Sequence, residues 1–327
     1  MQQRLRDGLR ACWRAVADYV GLAGVLAGLI VLFGLTARNF LTLDVFRTIA
    51  NQIPYTIVLA VGMTYVLIIA GIDLSVGSVL ALSVAVMAQV LTSVKGPLAL
   101  PLGVVACLAT GLVCGAINGA VTVAWRLPAF IVTLGMLEMA RGAAYFATAK
   151  RTLYFESRVS ALSEVFLGGL SLSFYVALAI VALAQFVLTR SVLGRYMVAI
   201  GTNEEAVRLS GIRPRPVKFA VFALCGLLTG LAAVMHALKS PSANPGIGQG
   251  YELDAIAAAV IGGTSLMGGR GSVVGSFFGV LIMAVLWFGL AGLGVAEEYK
   301  RFVTGLAIVA AAIAEYYRRR MARAERA

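Results

Sequence analysis

The sequence predicts an all-α, polytopic integral membrane protein of about ten transmembrane helices, and three observations carry that prediction. Hydrophobic residues make up 60% of the 327 residues and charged residues only 13%, with a mean hydropathy of +0.92. Soluble domains run near 25% charged. The apolar residues come in repeated blocks of the roughly 17 to 25 residues that an α-helix needs to cross about 30 Å of hydrocarbon. Strict period-two alternation, the mark of a barrel strand, is missing. Little chain separates the blocks, so residues 1–327 read as a single membrane domain. Any chemistry in water must come from partners.

In chain order, Arg4, Arg6, Arg10 and Arg14 precede an apolar block from Tyr19 to Leu35. No small-residue cleavage site follows it, and the next segment is again membrane-like, so it is expected to be an uncleaved first span. Further blocks run Pro54–Ile69, Val76–Thr92, Leu98–Trp125, Ala129–Ala149 and Leu172–Leu188. A charged loop from Arg190 to Lys218 follows, with six basic and two acidic residues. After it come Val217–Leu238, a short block Asp254–Met267, then Val273–Leu293 and Phe302–Tyr317. Ten spans with the N-terminus inside place both termini and the 190–218 loop on the cytoplasmic side. That assignment puts 17 of the 27 basic residues inside and nine outside, with Arg141 within a span. The excess on the inside follows the positive-inside rule.

The net charge of +12 is accounted for by that loop bias, so nucleic acid is not an expected partner. Membrane lipid is. Cys12, Cys107, Cys114 and Cys225 show neither a CxxC pair nor zinc spacing and read as small buried hydrophobes. No metal is expected.

Two stretches break the apolar pattern. In AGIDLSVGS, Ala70–Ser78, Gly71 and Gly77 flank Asp73 between two apolar blocks. A carboxylate at membrane depth is costly unless it caps a helix, pairs, or lines a polar cavity. Asp73 or Ser75 is placed to cap the helix beginning near Val76. In IGGTSLMGGRGSVVGS, Ile261–Ser276, six glycines in 16 residues suit close helix approach or a tight re-entrant turn. A GxxxxGK[ST] phosphate loop is absent, which argues against nucleotide binding by this chain. Gly71 and Leu74 match Gly263 and Leu266 at a constant offset, a weak internal echo. Glu138 and Arg141, three residues apart on a predicted helix, are expected to pair with each other, and Pro128 to start a helix.

Several long motifs in the same order resemble the permease subunits of bacterial ATP-binding-cassette sugar importers, the class that includes the ribose, xylose, arabinose and galactose permeases. They are GIDLSVGSVLAL from Gly71, NGAVTVAWRLPAFIVTLGMLEMARG from Asn118, GTNEEAVRLSGI from Gly201 and GYELDAIAAAVIGGTSLMGGRGSVVGS from Gly250. The resemblance spans roughly Asn51 to Tyr317. It implies a permease in the bacterial inner (plasma) membrane that pairs with a second copy or a sister permease. It also implies two cytoplasmic ATPase subunits, which bind the ATP, and a periplasmic or lipid-anchored solute-binding protein. The chain itself would be no enzyme and hold no cofactor.

In that family the cytoplasmic loop carries a short coupling helix that docks on the ATPase, here matched by Glu204, Glu205, Ala206, Arg208 and Gly211. The residues agree with a short helix: Thr202 or Asn203 as N-cap, acids in the first turn and a glycine to end it. Under this resemblance the solute path is sought at Asp73, Ser75, Asn118, Phe130, Thr133, Thr264 and Ser265. One departure stands out. Where such permeases often carry asparagines around a glycine, this chain has Trp287, Phe288, Gly289, Leu290 and Ala291, which leaves the solute open to other small polar molecules. The alternative is an ion-coupled secondary transporter, which needs ionisable groups buried in its spans; Asp73, Glu138, Arg141 and His236 are the few candidates.

Overall fold

The structure is a computed structural model that describes residues 2–155, 159 and 165–324. It is a helical bundle of a multi-pass membrane protein. The helices are α1 (Gln2–Thr36), α2 (Leu43–Gln52), α3 (Pro54–Ile68), α4 (Val76–Ser93), α5 (Ala99–Trp125), α6 (Ala129–Ala147), α7 (Leu172–Arg190), α8 (Val192–Thr202), α9 (Glu204–Leu209), α10 (Pro214–Lys239), α11 (Tyr251–Ile261), α12 (Val273–Gly292) and α13 (Glu297–Ala324). Among the described residues, strands are limited to two antiparallel pairs of two or three residues. β1 (Leu153–Tyr154) pairs with β4 (Ser242–Ala243), and β2 (Val165–Leu167) with β3 (Leu170–Ser171). The first pair ties the loop after α6 to the loop after α10.

Among the described residues, seven helices are long and apolar enough to cross a membrane: α1 from Tyr19, α4, α5, α6, α7, α10 and α12. An eighth candidate is α2 with α3, bent by 49° where Pro54 opens the second helix. Proline suits that first position, because the N–H it lacks has no partner there. Three of the ten expected blocks therefore take other forms. Pro54–Ile69 is the 15-residue α3, short of a full crossing. Asp254–Met267 is not one helix: α11 has 11 residues, about 16 Å at 1.5 Å per residue, and ends at Gly262. Phe302–Tyr317 lies within the 28-residue α13.

The core forms around α3, of which all but Tyr55 and Thr56 are buried. A helix apolar on every side is a buried helix, and α3 packs against α7, α10, α11 and α12. Beside it α5 and α10 lie almost backbone to backbone. A Cβ on Gly111 would stand 2.3 Å from the Gly226 carbonyl oxygen, and one on Gly226 2.2 Å from that of Gly111. Small residues are what permit such an approach in a membrane, where dispersion rather than the hydrophobic effect holds helices together. Cys107, Cys114 and Cys225 are buried free thiols in this packing, as their positions suggest. The side chain of Cys12 lies outside the described residues.

Candidate functional site

Between α3 and α4 the chain leaves helical geometry from Ile69 to Ser75, and polar side chains of two other helices meet it there. Asp73, 2% exposed, accepts hydrogen bonds on one carboxylate oxygen from the Ser75 N–H at 2.9 Å and the Ser75 hydroxyl at 2.6 Å. Asn118, from the buried face of α5, donates its Nδ2 to Ser75 Oγ at 3.0 Å. Thr133, in the second turn of α6, accepts from the Leu74 N–H at 3.1 Å and donates to the Ile72 carbonyl at 3.0 Å. Four of the residues singled out in the sequence thus form one buried cluster from three elements. The capping expectation needs correction. Ser75 holds the N-cap position of α4 without a side-chain capping bond, and Asp73 grips Ser75 rather than the helix's first turn. Phe130, one turn before Thr133, is 49% exposed and meets the cluster only through its carbonyl, 3.4 Å from Thr133 Oγ1.

The polar set is not self-sufficient. Asn118 Oδ1 has no partner although buried, and neither has Thr122 Oγ1, one turn further along the same face of α5. Buried polar atoms are nearly always paired. Thr122 also lines a cavity of about 870 Å³ whose other walls include Arg126, Glu204, Glu205 and Arg208.

Thr264 and Ser265 are fully buried but belong to a second centre. Ser276 Oγ of α12 lies 2.6 Å from Thr64 Oγ1 of α3 and 3.5 Å from Thr264 Oγ1. The Ser265 N–H donates to the Arg270 carbonyl at 3.0 Å, and Ser265 Oγ accepts from the Met267 N–H at 3.1 Å. This glycine-rich turn reaches the first break at its start: the Gly269 N–H donates to the Ile68 carbonyl at 2.9 Å. The same carbonyl faces the end of α8, where a Cβ on Gly201 would lie 1.8 Å from it. The first break, the glycine-rich turn and the last turn of α8 therefore converge on Ile68.

The 190–218 loop is more structured than a solvated connection. Ser191 caps α8 by accepting from the Gly194 N–H at 3.0 Å. Asn203, one of the two expected caps, accepts from the Ala206 N–H at 3.0 Å and starts α9, a helix of six residues. Glu204 pairs with Lys218 at 2.6 Å and Glu205 with Arg208 at 2.5 Å. The Arg208 hydrogen bond holds the exposed Glu205 carboxyl below its usual range. Gly211, at φ +85°, closes the segment.

Other expectations resolve differently. Arg141 does not pair with Glu138: its guanidinium reaches the loop between α10 and α11 and donates to the carbonyls of Pro245 and Ile247, each at 2.6 Å. Sequence spacing shows the near neighbour and cannot show a carbonyl a hundred residues away. Pro128 does precede α6 as its N-cap residue. His236 sits in the last turn of α10, buried beside the rings of Tyr55 and Tyr251, whose centroids lie 5.2 and 6.2 Å from its own.

The geometry can be set beside known proteins. A family model described as branched-chain amino acid transport system / permease component matches residues 45–312. The chain is 38% identical over 292 residues to the ribose import permease protein of Escherichia coli strain K12, covering 88% of this chain and 90% of that one. It is 32% identical to the fructose import permease protein of Rhizobium meliloti, covering 98% and 90%. The L-arabinose ABC transporter permease protein of Azospirillum brasilense is 31% identical, with 94% and 91% covered. No solved structure matches. Match and relatives extend over both helix breaks and the capped loop between them, and the chain belongs to the branched-chain amino acid transport system permease component family.

Proposed function

We propose that this chain is the membrane permease subunit of an ATP-binding-cassette importer for a monosaccharide or similar small polar solute, seated in the bacterial inner membrane. Sugar import permeases are its relatives at 31–38% identity over most of its length. The observation that carries the mechanism is the seat of Gly201 on the Ile68 carbonyl. It seats the end of α8, two residues before the Asn203 cap of α9, directly on the last turn of the helix that leads into Asp73. In this reading α9 docks on a cytoplasmic ATPase through Glu204, Glu205, Ala206, Arg208 and Gly211. A push on α9 is delivered to Ile68, because a backbone-to-backbone contact has no side chain to absorb it.

The solute path then runs by Asp73, Ser75, Asn118 and Thr133, with Phe130 at its edge, and the unpartnered Asn118 Oδ1 and Thr122 Oγ1 offer acceptors to solute hydroxyls. Thr264 and Ser265 brace that path from behind through Ser276 and the glycine-rich turn. ATP is bound by the ATPase subunits. A second permease copy or sister permease completes the membrane unit, and a periplasmic or lipid-anchored binding protein delivers the solute. The topology has ten passes with both termini cytoplasmic, α3 and α11 completing their crossings with non-helical backbone; the 17 to nine bias of basic residues supports it.

The test is assembly and uptake. The protein is expected to co-purify with a cassette ATPase and to support ATP-dependent sugar uptake. Glu205→Ala with Gly211→Pro should abolish both at normal membrane levels, since proline cannot adopt φ +85°. An intact chain that assembles with no such ATPase, and a double variant with unchanged uptake, overturn the proposal.

A further inference from the structure

Two of the helices too short to cross the membrane, α3 and α11, begin at the same place. There the chain bends by 49° into Pro54, and the loop before Tyr251 passes through Gly248 and Gly250 at φ +74° and +86°. Interrupted backbone at membrane depth is tolerated only when buried in protein or lining a water-filled cavity. Here it lines one: Gln52, Ile53, Gly250 and Tyr251 border a cavity of about 750 Å³, within the roughly 300–1,000 Å³ of small-molecule sites. α12 and α13 supply the other walls.

We infer that this cavity is a receiving site for a neutral monosaccharide or polyol, an inference that rests on the importer reading above and locates a site within it. The chemistry of the walls argues for that ligand class. Tyr55 and Tyr251 stack with ring centroids 5.3 Å apart, and Trp287 of α12 adds a third aromatic surface. Aromatic faces take the C–H side of a sugar ring, whose hydroxyls need acceptors and donors such as Asp254 and Gln52. Formal charges on the wall cancel, Asp254 and Glu297 against Lys300 and Arg301, and the Lys239 ammonium at the rim is taken up by Gln52 and the Tyr55 ring, 5.3 Å away. Glu297 and Arg301 pair at 2.7 Å, and Lys300 lies 5.3 Å over the Trp287 ring. Inside that wall a charged solute would meet no net attraction, and a lipid tail would leave Asp254 facing hydrocarbon.

Position agrees with chemistry. α3 starts at this cavity and ends against Gly201, and α10 starts beside the coupling loop and ends at Lys239, whose ammonium bonds Gln52 at the rim. The cavity is thus at the end of the bundle away from the ATPase contact. It also adjoins the Asp73 cluster. A Cβ on Gly77, two residues past Ser75, would stand 2.1 Å from the carbonyl oxygen of Gly248, in the loop that opens α11. The Trp287–Phe288 pair that departs from the sugar permeases' asparagines becomes the wall of a site rather than a lipid-facing surface.

The experiment uses the assembled importer in proteoliposomes and ribose, arabinose and fructose as probes. Asp254→Asn and Trp287→Ala are expected to lower uptake of the transported sugar about tenfold, and Trp287→Phe to retain most of it. A second measurement does not depend on how these variants fold. Ala284 of α12 lies on the cavity wall; in an uptake-competent Ala284→Cys protein that also carries Cys12→Ser, the introduced thiol should react with a membrane-impermeant maleimide, and the transported sugar should slow that reaction severalfold. Wild-type uptake in D254N and W287A, a thiol inert to the reagent, or labelling unaffected by any sugar the wild type transports overturns the site. A wild-type importer without ATP-driven uptake of any of the three sugars instead overturns the reading on which it rests.

Discussion

Where α3 gives way to α4, the broken backbone is satisfied from outside: Thr133 of α6 takes the Leu74 N–H and gives its own proton to the Ile72 carbonyl. Where α11 gives way to α12, the turn largely satisfies itself, with Ser265 bonded to Arg270 and Met267, and its buried hydroxyls answered by Ser276 and Thr64. The first break leaves acceptors over, at Asn118 and Thr122; Thr264, Ser265 and Ser276 of the second leave none. Both are non-helical backbone inside a membrane protein, so both had to find partners or water. The difference teaches which one has capacity to spare for a solute and which one is built to hold a shape. The two touch at Ile68, where the α8 end also arrives.

The largest expected effect comes from breaking that junction. Gly201→Ala puts a methyl 1.8 Å from the Ile68 oxygen and 2.5 Å from the Gly269 nitrogen, both backbone atoms with no rotamer to turn away. About 3 kcal/mol or more of destabilisation is expected, read as a lower melting temperature in detergent with uptake lost. A melt unchanged from wild type would show that the three segments are not tightly packed there. Next is the first break itself. Asp73→Ala strands the Ser75 N–H and hydroxyl in a buried site and should cost about 2 kcal/mol, while Asp73→Asn keeps an acceptor oxygen and recovers most of it. Equal losses in the two variants would mean that the charge, not the hydrogen bonds, holds the turn.

How much of this the sequence discloses depends on whether partners lie near or far along the chain. Apolar blocks became helices because length and composition are local properties, and α9 was legible from TNEEAVRLSG because a cap, acids and a terminal glycine all act within one turn. Asp73, Ser75, Asn118 and Thr133 were legible as polar residues in apolar surroundings and in shared motifs; that they meet was not. Hydropathy read Asp254–Met267 as a span because it counts apolar residues without asking where glycines stop a helix, and α11 ends at Gly262. Arg141 was assigned its helical neighbour Glu138, when its partners are carbonyls of Pro245 and Ile247. Tyr55 and Tyr251 stack across nearly two hundred residues, and no periodicity relates them.

At the second break a smaller effect separates shape from function. Ser276→Ala removes the hydroxyl that Thr64 and Thr264 share, and about 1 kcal/mol of stability should go with it. Thr64→Val should cost a similar amount, and the double variant less than both together, since the two single changes delete the same Thr64–Ser276 hydrogen bond while each remaining hydroxyl keeps a backbone partner, Thr64 the Ala60 carbonyl and Ser276 that of Ser272. Uptake by the folded fraction should stay near wild type. A loss of uptake larger than the loss of folded protein would move this hydroxyl chain from scaffold to path.

The smallest stability change is expected at Asn118, and it sharpens the comparison most. Leucine has the branched outline of asparagine and the same number of side-chain heavy atoms, with two methyls bulkier than the amide groups they replace. Asn118→Leu deletes one hydrogen bond, from Nδ2 to Ser75 Oγ, but it also deletes a buried Oδ1 that has no partner. A lost bond costs about 1 kcal/mol and an unsatisfied buried acceptor about 1–3 kcal/mol, so the two terms oppose and stability should shift by less than about 1 kcal/mol in either direction. Ser75 keeps its bond to Asp73 throughout. If the polar excess of the first break serves the solute, uptake by N118L should nonetheless fall about tenfold, the loss of one well-formed hydrogen bond to a passing hydroxyl. A stable N118L protein that transports at the wild-type rate would put Asn118 in the same role as Ser276, and the first break would then be scaffold like the second.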